Sequence, residues 1–94
     1  MKKIYIAGPM TGLPEFNKPA FFNKEHLLKQ DNWIVLNPAI LPDGLRHHEY
    51  MEICLPMVRV ADVVFMMKGW ENSKGANMEH DYAKDIGLEI IYEC

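Results

Sequence analysis

The segment ADVVFMMKG places the strongest limit on how this chain can fold, because residues 63–67 are five consecutive apolar residues. The run has the length of a strand and shows no polar position on either face. A strand that is apolar on both faces is typical of a parallel sheet with helices packed above and below it. We therefore predict a strand at residues 62–67 in a sheet of that kind.

Three further strands are predicted from short apolar runs that end at turn residues. They cover residues 4–8, 33–36 and 88–92. The first ends at Gly8 and Pro9, and the second ends at Asn37 and Pro38, where the residue before a proline leaves the regular structure.

Three helices are predicted between these strands. They start at residue 17 or 18, at residue 47, and at residue 74 or 75, and they end near residues 30, 60 and 86. Apolar residues spaced three or four apart give a helix one inward face. The expected inward residues of the first two helices are Phe21, Leu27 and Leu28, with Phe22 on the border, and Tyr50, Ile53, Met57 and Val60.

Strands and helices therefore alternate along the chain, which predicts parallel strands joined by right-handed crossovers. We expect residues 1–94 to form a single α/β domain, a small flavodoxin-like three-layer sandwich. Its four-stranded parallel sheet should have the order 2-1-3-4, with helices on both faces. Ligands of such sheets bind beyond the carboxyl ends of the strands where the order reverses, here between the first and third strands.

Composition limits the partners and the location of the protein. The net charge of -3 and the lack of a basic block disfavour nucleic acid as the main partner. Cys54 and Cys94 have neither metal spacing nor a disulfide framework, so we expect free thiols, a reducing compartment, and no metal or other cofactor. The sequence shows no signal peptide or membrane span, and we expect a soluble cytoplasmic protein without a membrane partner.

Two loops that contain glycine lie where a ligand is expected, after the first and third strands. They are GPMTG at residues 8–12 and GWENSKG at residues 69–75. Glycine lets backbone N–H groups approach a ligand closely, and the second loop leads into a helix N-terminus, which favours anions. Each glycine could equally serve only to form a turn, because neither loop is a nucleotide-binding signature.

Glu79 is the main candidate for chemistry. It shares one side of the third predicted helix with the small residues Gly75, Ala76 and Ala83, which suit close packing on the sheet. If this side faces the crevice, Glu79 is a candidate nucleophile or base. If it faces water, Glu79 is an ordinary surface residue.

Other side chains near these loops have two interpretations each. Tyr5 is either plain core or part of the site, and Trp70 either stacks on a ligand or covers the sheet edge. Ser73 is the expected N-cap of the third helix, and that position would also let it help to hold a phosphate. His47, His48 and His80 show no metal spacing and are expected at the surface.

The segments YIAGPMTG, LNPA and ADVVFMMKGWENSKGANMEHDYA resemble the nucleoside 2-deoxyribosyltransferase-like superfamily, and more closely a branch of small phage and prophage proteins. The likeness covers nearly the whole chain in the right order. It implies a flavodoxin-like fold, a dimer or larger homo-oligomer, and cleavage of the N-glycosidic bond of deoxynucleosides or their monophosphates. In that superfamily the sugar passes to another base in the transferases and to water in the nucleotide hydrolases.

The resemblance implies a role for individual residues. Glu79 matches the nucleophile that forms a covalent deoxyribosyl-enzyme, and Tyr5 matches the tyrosine that holds it. Ser73 and Gly75 match residues that bind the 5′-phosphate. The complete set of expected substrate-binding residues is Gly8, Pro9, Met10, Thr11, Gly12, Cys54, Gly69, Trp70, Ser73, Gly75 and Asn77.

One position departs from the superfamily. Its enzymes carry an aspartate eight residues before the aspartate that opens the third strand, and counting back from Asp62 reaches Cys54. A thiol cannot act as a carboxylate, although Asp43, Glu49 or Glu52 could substitute from nearby. Three functions stay open: a deoxynucleotide N-glycosidic hydrolase or deoxyribosyltransferase, a non-catalytic nucleotide-binding protein that sequesters or senses its ligand, and an interaction module with a vestigial crevice.

Overall fold

The computed structural model describes residues 2–94, which contain a four-stranded parallel sheet in the order β2-β1-β3-β4. The strands are β1 (Lys3–Ala7), β2 (Ile34–Leu36), β3 (Val63–Met66) and β4 (Glu89–Tyr92). The helices are α1 (Lys18–Gln30), α2 (His47–Val60) and α3 (Lys74–Asp85). The predicted flavodoxin-like α/β fold and its strand order are confirmed.

The two central strands, β1 and β3, are covered on both faces. Alternate side chains of β1 point to opposite faces of the sheet. Tyr5 and Ala7 pack in a core cluster with residues of α2 and α3, whereas Ile4 and Ile6 pack in a second cluster with residues of α1. All four of these side chains are fully buried, as the apolar run in each central strand requires.

The inward face of α1 is narrower than predicted. Phe21 and Leu28 are buried, whereas Leu27 is 52% exposed and Phe22 is 44% exposed. The prediction was therefore right for Phe21 and Leu28 and wrong for Leu27. A single helix covers this face of the sheet, and the two buried residues lie seven apart, which is two turns on the same side of the helix.

The prediction of the inward face of α2 was right for Met57, which is half-buried and packs against the core, and wrong for Ile53 and Val60. Ile53 and Val60 are 40% and 52% exposed, and the buried residues of this helix are Met51, Cys54 and Val58. Apolar residues occur around most of α2, so their spacing alone does not distinguish one face from another. The corrected orientation turns Cys54 towards β1 and α3.

The loop after β1 is held tightly at both ends. A Cβ at Gly8 would lie 2.9 Å from Cε of Met67 and 3.0 Å from its Cβ, and the second atom cannot move without the backbone, so this close approach favours glycine. Further along, Glu15, Phe16 and Asn17 have φ angles of 54°, 53° and 60°, a left-handed conformation that non-glycine residues rarely adopt. The amide of Asn17 donates to the carbonyl of Pro9 at 2.9 Å and ties the segment back to its start.

Both cysteines are free thiols, as expected from the sequence, and Cys54 is buried whereas Cys94 is exposed. The helices formed by residues 2–94 include none that is long and apolar enough to cross a membrane.

Two adjacent phenylalanines provide a test of how α1 packs. Phe21 is fully buried, so Phe21→Ala should lower the free energy of unfolding by about 3–5 kcal/mol through lost burial and a residual cavity. Phe22 is 44% exposed, so Phe22→Ala should lower it by less than about 1 kcal/mol. Urea unfolding followed by circular dichroism measures both, and equal losses would contradict this orientation of α1.

Candidate functional site

A cavity of about 480 Å³ opens at the carboxyl ends of β1 and β2. Its walls are the loop after β1, the start of α1, the segment between β2 and α2, and the facing sides of α2 and α3. Small-molecule sites commonly have volumes of about 300–1,000 Å³. The lining residues are Gly8, Met10, Thr11, Phe16, Lys18, Phe21, Pro38, Leu41, Asp43, Gly44, Leu45, His47, Tyr50, Met51, Cys54, Ser73, Gly75, Ala76 and Glu79.

The carboxylate of Glu79 is buried at the floor of this cavity. Glu79 lies on α3 and is 6% exposed. The hydroxyl of Tyr5, a fully buried residue of β1, donates a hydrogen bond to Oε2 of Glu79 at 2.5 Å. A buried carboxylate is costly unless it is hydrogen-bonded. The Tyr5 hydroxyl therefore both stabilises Glu79 and fixes its orientation.

Cys54 is the third member of this group, which we call the Glu79 trio (Tyr5, Cys54 and Glu79). It is 4% exposed and packs in the same core cluster as Tyr5. Burial, followed by the nearby charge of Glu79, raises the pKa of the Cys54 thiol to about 11. The thiol is therefore neutral at physiological pH, and a neutral thiol is neither a good nucleophile nor a strong hydrogen-bond donor.

The protonation states of the other two members differ. Burial raises the pKa of Glu79 from its usual 4.5 to about 7, and the Tyr5 and Cys54 side chains oppose that rise. Burial first, and then the charge of Glu79, raise the pKa of Tyr5 well above its usual 10. Near neutral pH, Glu79 thus exists in both forms while Tyr5 keeps its proton. A carboxyl group poised in this way suits a nucleophile or a general base.

The N-terminus of α3 forms the side of the cavity beyond Glu79. Ser73 is its N-cap, and the Ser73 hydroxyl oxygen accepts a hydrogen bond from the Ala76 N–H at 3.2 Å. Gly75 lies close to α2, because a Cβ there would be in van der Waals contact with the sulfur of Met51 at 3.4 Å and with Cε1 of His47 at 3.7 Å. The first turn of α3 and the His47 ring therefore border the same space, and a helix N-terminus of this kind favours anions.

An ion pair lies on another wall of the cavity, at the start of α1. Nζ of Lys18 is 2.7 Å from Oδ1 of Asp43, and it also donates to the carbonyl oxygen of Leu41 at 3.4 Å. The Tyr50 hydroxyl donates to the carbonyl oxygen of Pro42 at 2.7 Å. These contacts hold the segment between β2 and α2, which has no regular strand or α-helix at residues 41–46, against the rest of the site.

The structure brings together eight of the residues expected to act or bind. Tyr5 and Glu79 form the hydrogen-bonded pair at the floor, and the others line the cavity: Gly8, Met10, Thr11, Cys54, Ser73 and Gly75. Of the three carboxylates considered as substitutes at the Cys54 position, Asp43 lines the cavity, whereas Glu52 is exposed and Glu49 accepts a hydrogen bond from the Arg46 N–H.

Five of the expected binding residues do not line the cavity, namely Pro9, Gly12, Gly69, Trp70 and Asn77. Their contacts are local. The Asn77 amide donates to the carbonyl oxygens of Trp70, Glu71 and Ser73 and so ties the preceding loop to α3. Gly69 has a φ angle of 87°, which suits glycine in a turn.

Trp70 covers the sheet near its β4 edge, one of the two positions considered for it. Its ring stacks on His80 with centroids 4.4 Å apart and lies 6.0 Å from the ring of Tyr92. The prediction that His80 lies at the surface was wrong, because His80 is 9% exposed and its Nε2 is 2.7 Å from the Tyr92 hydroxyl oxygen. The spacing of polar residues on α3 did not reveal that an edge-strand tyrosine and a loop tryptophan enclose this ring.

Several cavity residues were not identified from the sequence. They include Lys18 and the apolar residues Phe16, Leu41 and Leu45, together with the ion pair that Lys18 forms with Asp43, a residue considered only as a substitute carboxylate. All five lie at the start of α1 or in irregular segments, where no periodic pattern marks an inward side. His47 is exposed, as expected, and in addition lines the cavity, which was not expected. Among residues 2–94 no three His, Cys, Asp or Glu side chains come together in a way that could hold a metal ion.

The raised pKa of Glu79 predicts how stability depends on pH. Below its unfolded-state pKa near 4.5, Glu79 is neutral in both states and burial of its charge costs nothing. As pH rises from about 4.5 to about 7, the folded state must keep the extra proton or bury the charge, so stability falls by roughly 3 kcal/mol, at about 1.4 kcal/mol per pKa unit.

Glu79→Gln removes this dependence, and the difference in unfolding free energy between the two proteins isolates it. Urea unfolding at intervals from pH 4 to pH 8 should show the parent losing stability relative to Glu79→Gln. A difference that does not change over this range would contradict the burial of an ionisable Glu79.

Comparison with known proteins agrees with this fold. A solved structure described as a 2-desoxiribosyltransferase from Leishmania mexicana has a TM-score of 0.78 and 23% sequence identity, with 98% of this chain and 63% of that chain covered. The present chain thus spans less than two thirds of that protein, and at this identity the likeness shows the fold. No curated protein matches the chain. A family model described as "Domain of unknown function (DUF4406)" matches residues 2–92, and the chain therefore belongs to that family.

Proposed function

We propose that this protein cleaves the N-glycosidic bond of a deoxynucleotide, as a hydrolase or a deoxyribosyltransferase, through a covalent intermediate on Glu79. The observation that carries the proposal is the buried Glu79 carboxylate, held by Tyr5 at the floor of a cavity of about 480 Å³. The fold shared with a protein described as a 2-desoxiribosyltransferase supports the same class of reaction.

In the proposed reaction the ionised Glu79 attacks C1′ of the deoxyribose. The C1′–N bond breaks, its electron pair leaves with the base, and the base takes a proton from water, which is returned when the second nucleophile loses its own proton. The resulting sugar ester of Glu79 is then attacked at C1′ by water or by a nitrogen of a second base, which frees the carboxylate. The Tyr5 hydroxyl, by fixing the Glu79 carboxylate, reduces the reorganisation needed for attack.

The 5′-phosphate is assigned to the N-terminus of α3. Ser73 and Gly75 lie in its cap and first turn, where unpaired N–H groups and the helix dipole favour an anion. Gly75 and Glu79 are one turn apart on α3, so a phosphate at the first turn would lie about one sugar away from the nucleophile. We expect a 5′-monophosphate to bind more tightly than the matching nucleoside.

A second candidate is a non-catalytic nucleotide-binding protein that sequesters or senses its ligand. The observation that favours it is Cys54, whose neutral thiol lies beside Glu79 where the resemblance implies an aspartate. A site without that carboxylate could bind the nucleotide and yet lack a group that assists departure of the base.

The proposal also covers the branch of the superfamily, the location and the oligomeric state of the protein. We assign the chain to the phage and prophage branch of the superfamily, as a single cytoplasmic domain that forms a homo-oligomer. The exposed Ile53 and Val60 on α2 support self-association, because they place apolar surface on the outer side of that helix.

Replacement of the proposed nucleophile gives the most direct test. Glu79→Gln preserves shape and removes the charge, so release of free base from deoxynucleoside monophosphates should fall below detection while binding is retained. Tyr5→Phe removes the orienting hydrogen bond, which is worth about 1–3 kcal/mol to a charged partner and predicts a rate roughly 5- to 150-fold lower. Chromatography of the base measures both. A Glu79→Gln protein that releases base at the parent's rate would exclude this mechanism.

Cys54→Asp tests the departure from the superfamily. The new carboxylate lies beside Glu79, so one of the two groups should hold a proton near neutral pH and be able to donate it to the leaving base. We expect base release to become faster than in the parent, with Cys54→Asn, which cannot donate a proton in this way, as the matched control. Binding without release by both the parent and Cys54→Asp would favour the second candidate function.

A further inference from the structure

We propose that Lys18 and Asp43 bind the hydrogen-bonding edge of the base and make the site selective for guanine. This inference rests on the proposed function, since it assigns the base to a particular wall of the same cavity. Lys18 and Asp43 both line that cavity, and their charged groups lie 2.7 Å apart.

The strand order places three parts of the cavity in a row. β1 lies between β2 and β3, and it carries Tyr5, which holds Glu79. The α3 N-terminus follows β3 on one side, and the segment that contains Asp43 follows β2 on the other. A nucleotide whose phosphate lies at α3 and whose C1′ lies at Glu79 would therefore extend its base towards β2 and Asp43.

Apolar side chains border that part of the cavity. Phe16, Leu41 and Leu45 line the cavity, Phe16 is two residues from Lys18, and Leu41 and Leu45 are each two residues from Asp43. The faces of a base are apolar and need such contacts, whereas its edge needs hydrogen-bonding partners. Beside these apolar residues, Lys18 supplies a hydrogen-bond donor and Asp43 supplies hydrogen-bond acceptors.

The chemistry of the pair selects among base edges. The Lys18 ammonium can only donate hydrogen bonds, and the Asp43 carboxylate can only accept them, through two oxygens. Guanine presents the O6 acceptor next to two donors, N1–H and the N2 amino group. It can thus accept from Lys18 through O6 while both Asp43 oxygens accept from N1–H and N2–H.

The other bases match this pair less well. Adenine and cytosine each offer one amino donor beside a ring-nitrogen acceptor, so one Asp43 oxygen is left without a partner. Thymine and uracil offer a single N–H between two carbonyl groups, and a carboxylate oxygen would face one of those carbonyls. Hypoxanthine keeps O6 and N1–H but lacks the N2 amino group. Comparison of guanine with hypoxanthine therefore measures the contribution of the hydrogen bond from N2–H to Asp43.

The test uses Glu79→Gln protein, in which bound deoxynucleotides are not consumed. Dissociation constants are measured by calorimetry for dGMP, dIMP, dAMP, dCMP and dTMP, which share one phosphate and one sugar. We expect dGMP to bind about tenfold or more tightly than dAMP, dCMP and dTMP, the selectivity typical of a bidentate contact, with dIMP between them.

Asp43→Asn in the same protein should remove most of the preference for dGMP, because an amide offers one acceptor and one donor group in place of two acceptor oxygens. Asp62→Asn is the matched control. Asp62 also pairs with a lysine, Lys3, at 3.5 Å, but it precedes β3 at the opposite end of the strands. Asp62→Asn should therefore leave the order of affinities for the five deoxynucleotides unchanged.

The outcomes separate this inference from the proposed function. Equal affinity for all five deoxynucleotides, or a dGMP preference that survives Asp43→Asn, would overturn the guanine assignment and leave the proposed nucleotide site standing. If none of the five binds, both are overturned. If Asp43→Asn does not fold, the five dissociation constants of the Glu79→Gln protein, which keeps Asp43, still test whether the site prefers dGMP.

Discussion

The hydrogen bond between Tyr5 and Glu79 constrains more of this small protein than any other contact. It joins residues 74 positions apart in the sequence and links the centre of the sheet to the last helix. A buried carboxylate needs a partner, and a buried tyrosine hydroxyl needs an acceptor, so neither position tolerates loss of the other without an unpaired polar group in the core. The fully buried neighbours Ala7 and Ala83 are small, which suits the close approach of α3 to β1 on which this contact depends.

The same arrangement explains why the cavity coexists with a stable core. The C-terminal parts of both helices pack on the sheet. Val58 of α2 and its C-cap Ala61 lie in the same core cluster as Ala83 of α3. At the other end of these helices, His47, Tyr50 and Gly75 in the first turns line the cavity. Space therefore remains at the carboxyl edge while the opposite end of the same helices is filled. Parallel sheets bind ligands at this edge for the same geometric reason.

The sequence predicted the fold well because its strongest signals are periodic or continuous. The run at residues 63–67, the proline stops and the N-cap at Ser73 are local, and each is matched by an observed boundary. The placement of Glu79 beside Tyr5 followed from small residues on one side of α3 together with a resemblance between motifs. The packing of His80 and the Lys18–Asp43 pair could not be predicted in this way. Both depend on which residues of distant segments meet, and this is set by the packing of irregular loops rather than by spacing along the chain.

The left-handed segment at residues 15–17 has a consequence for how this protein can change over time. Each non-glycine residue in that conformation costs on the order of 1 kcal/mol, and Phe16 is one of three in succession. A glycine there would relieve the strain but remove an aromatic wall of the cavity at position 16, or loosen its support at positions 15 and 17. Under the proposed function, selection for thermal robustness and selection for ligand binding would therefore act in opposite directions on these three residues. A lineage that had lost its ligand would be free to accept glycine here, so the residues found at positions 15–17 in related chains would record whether the pocket is still in use.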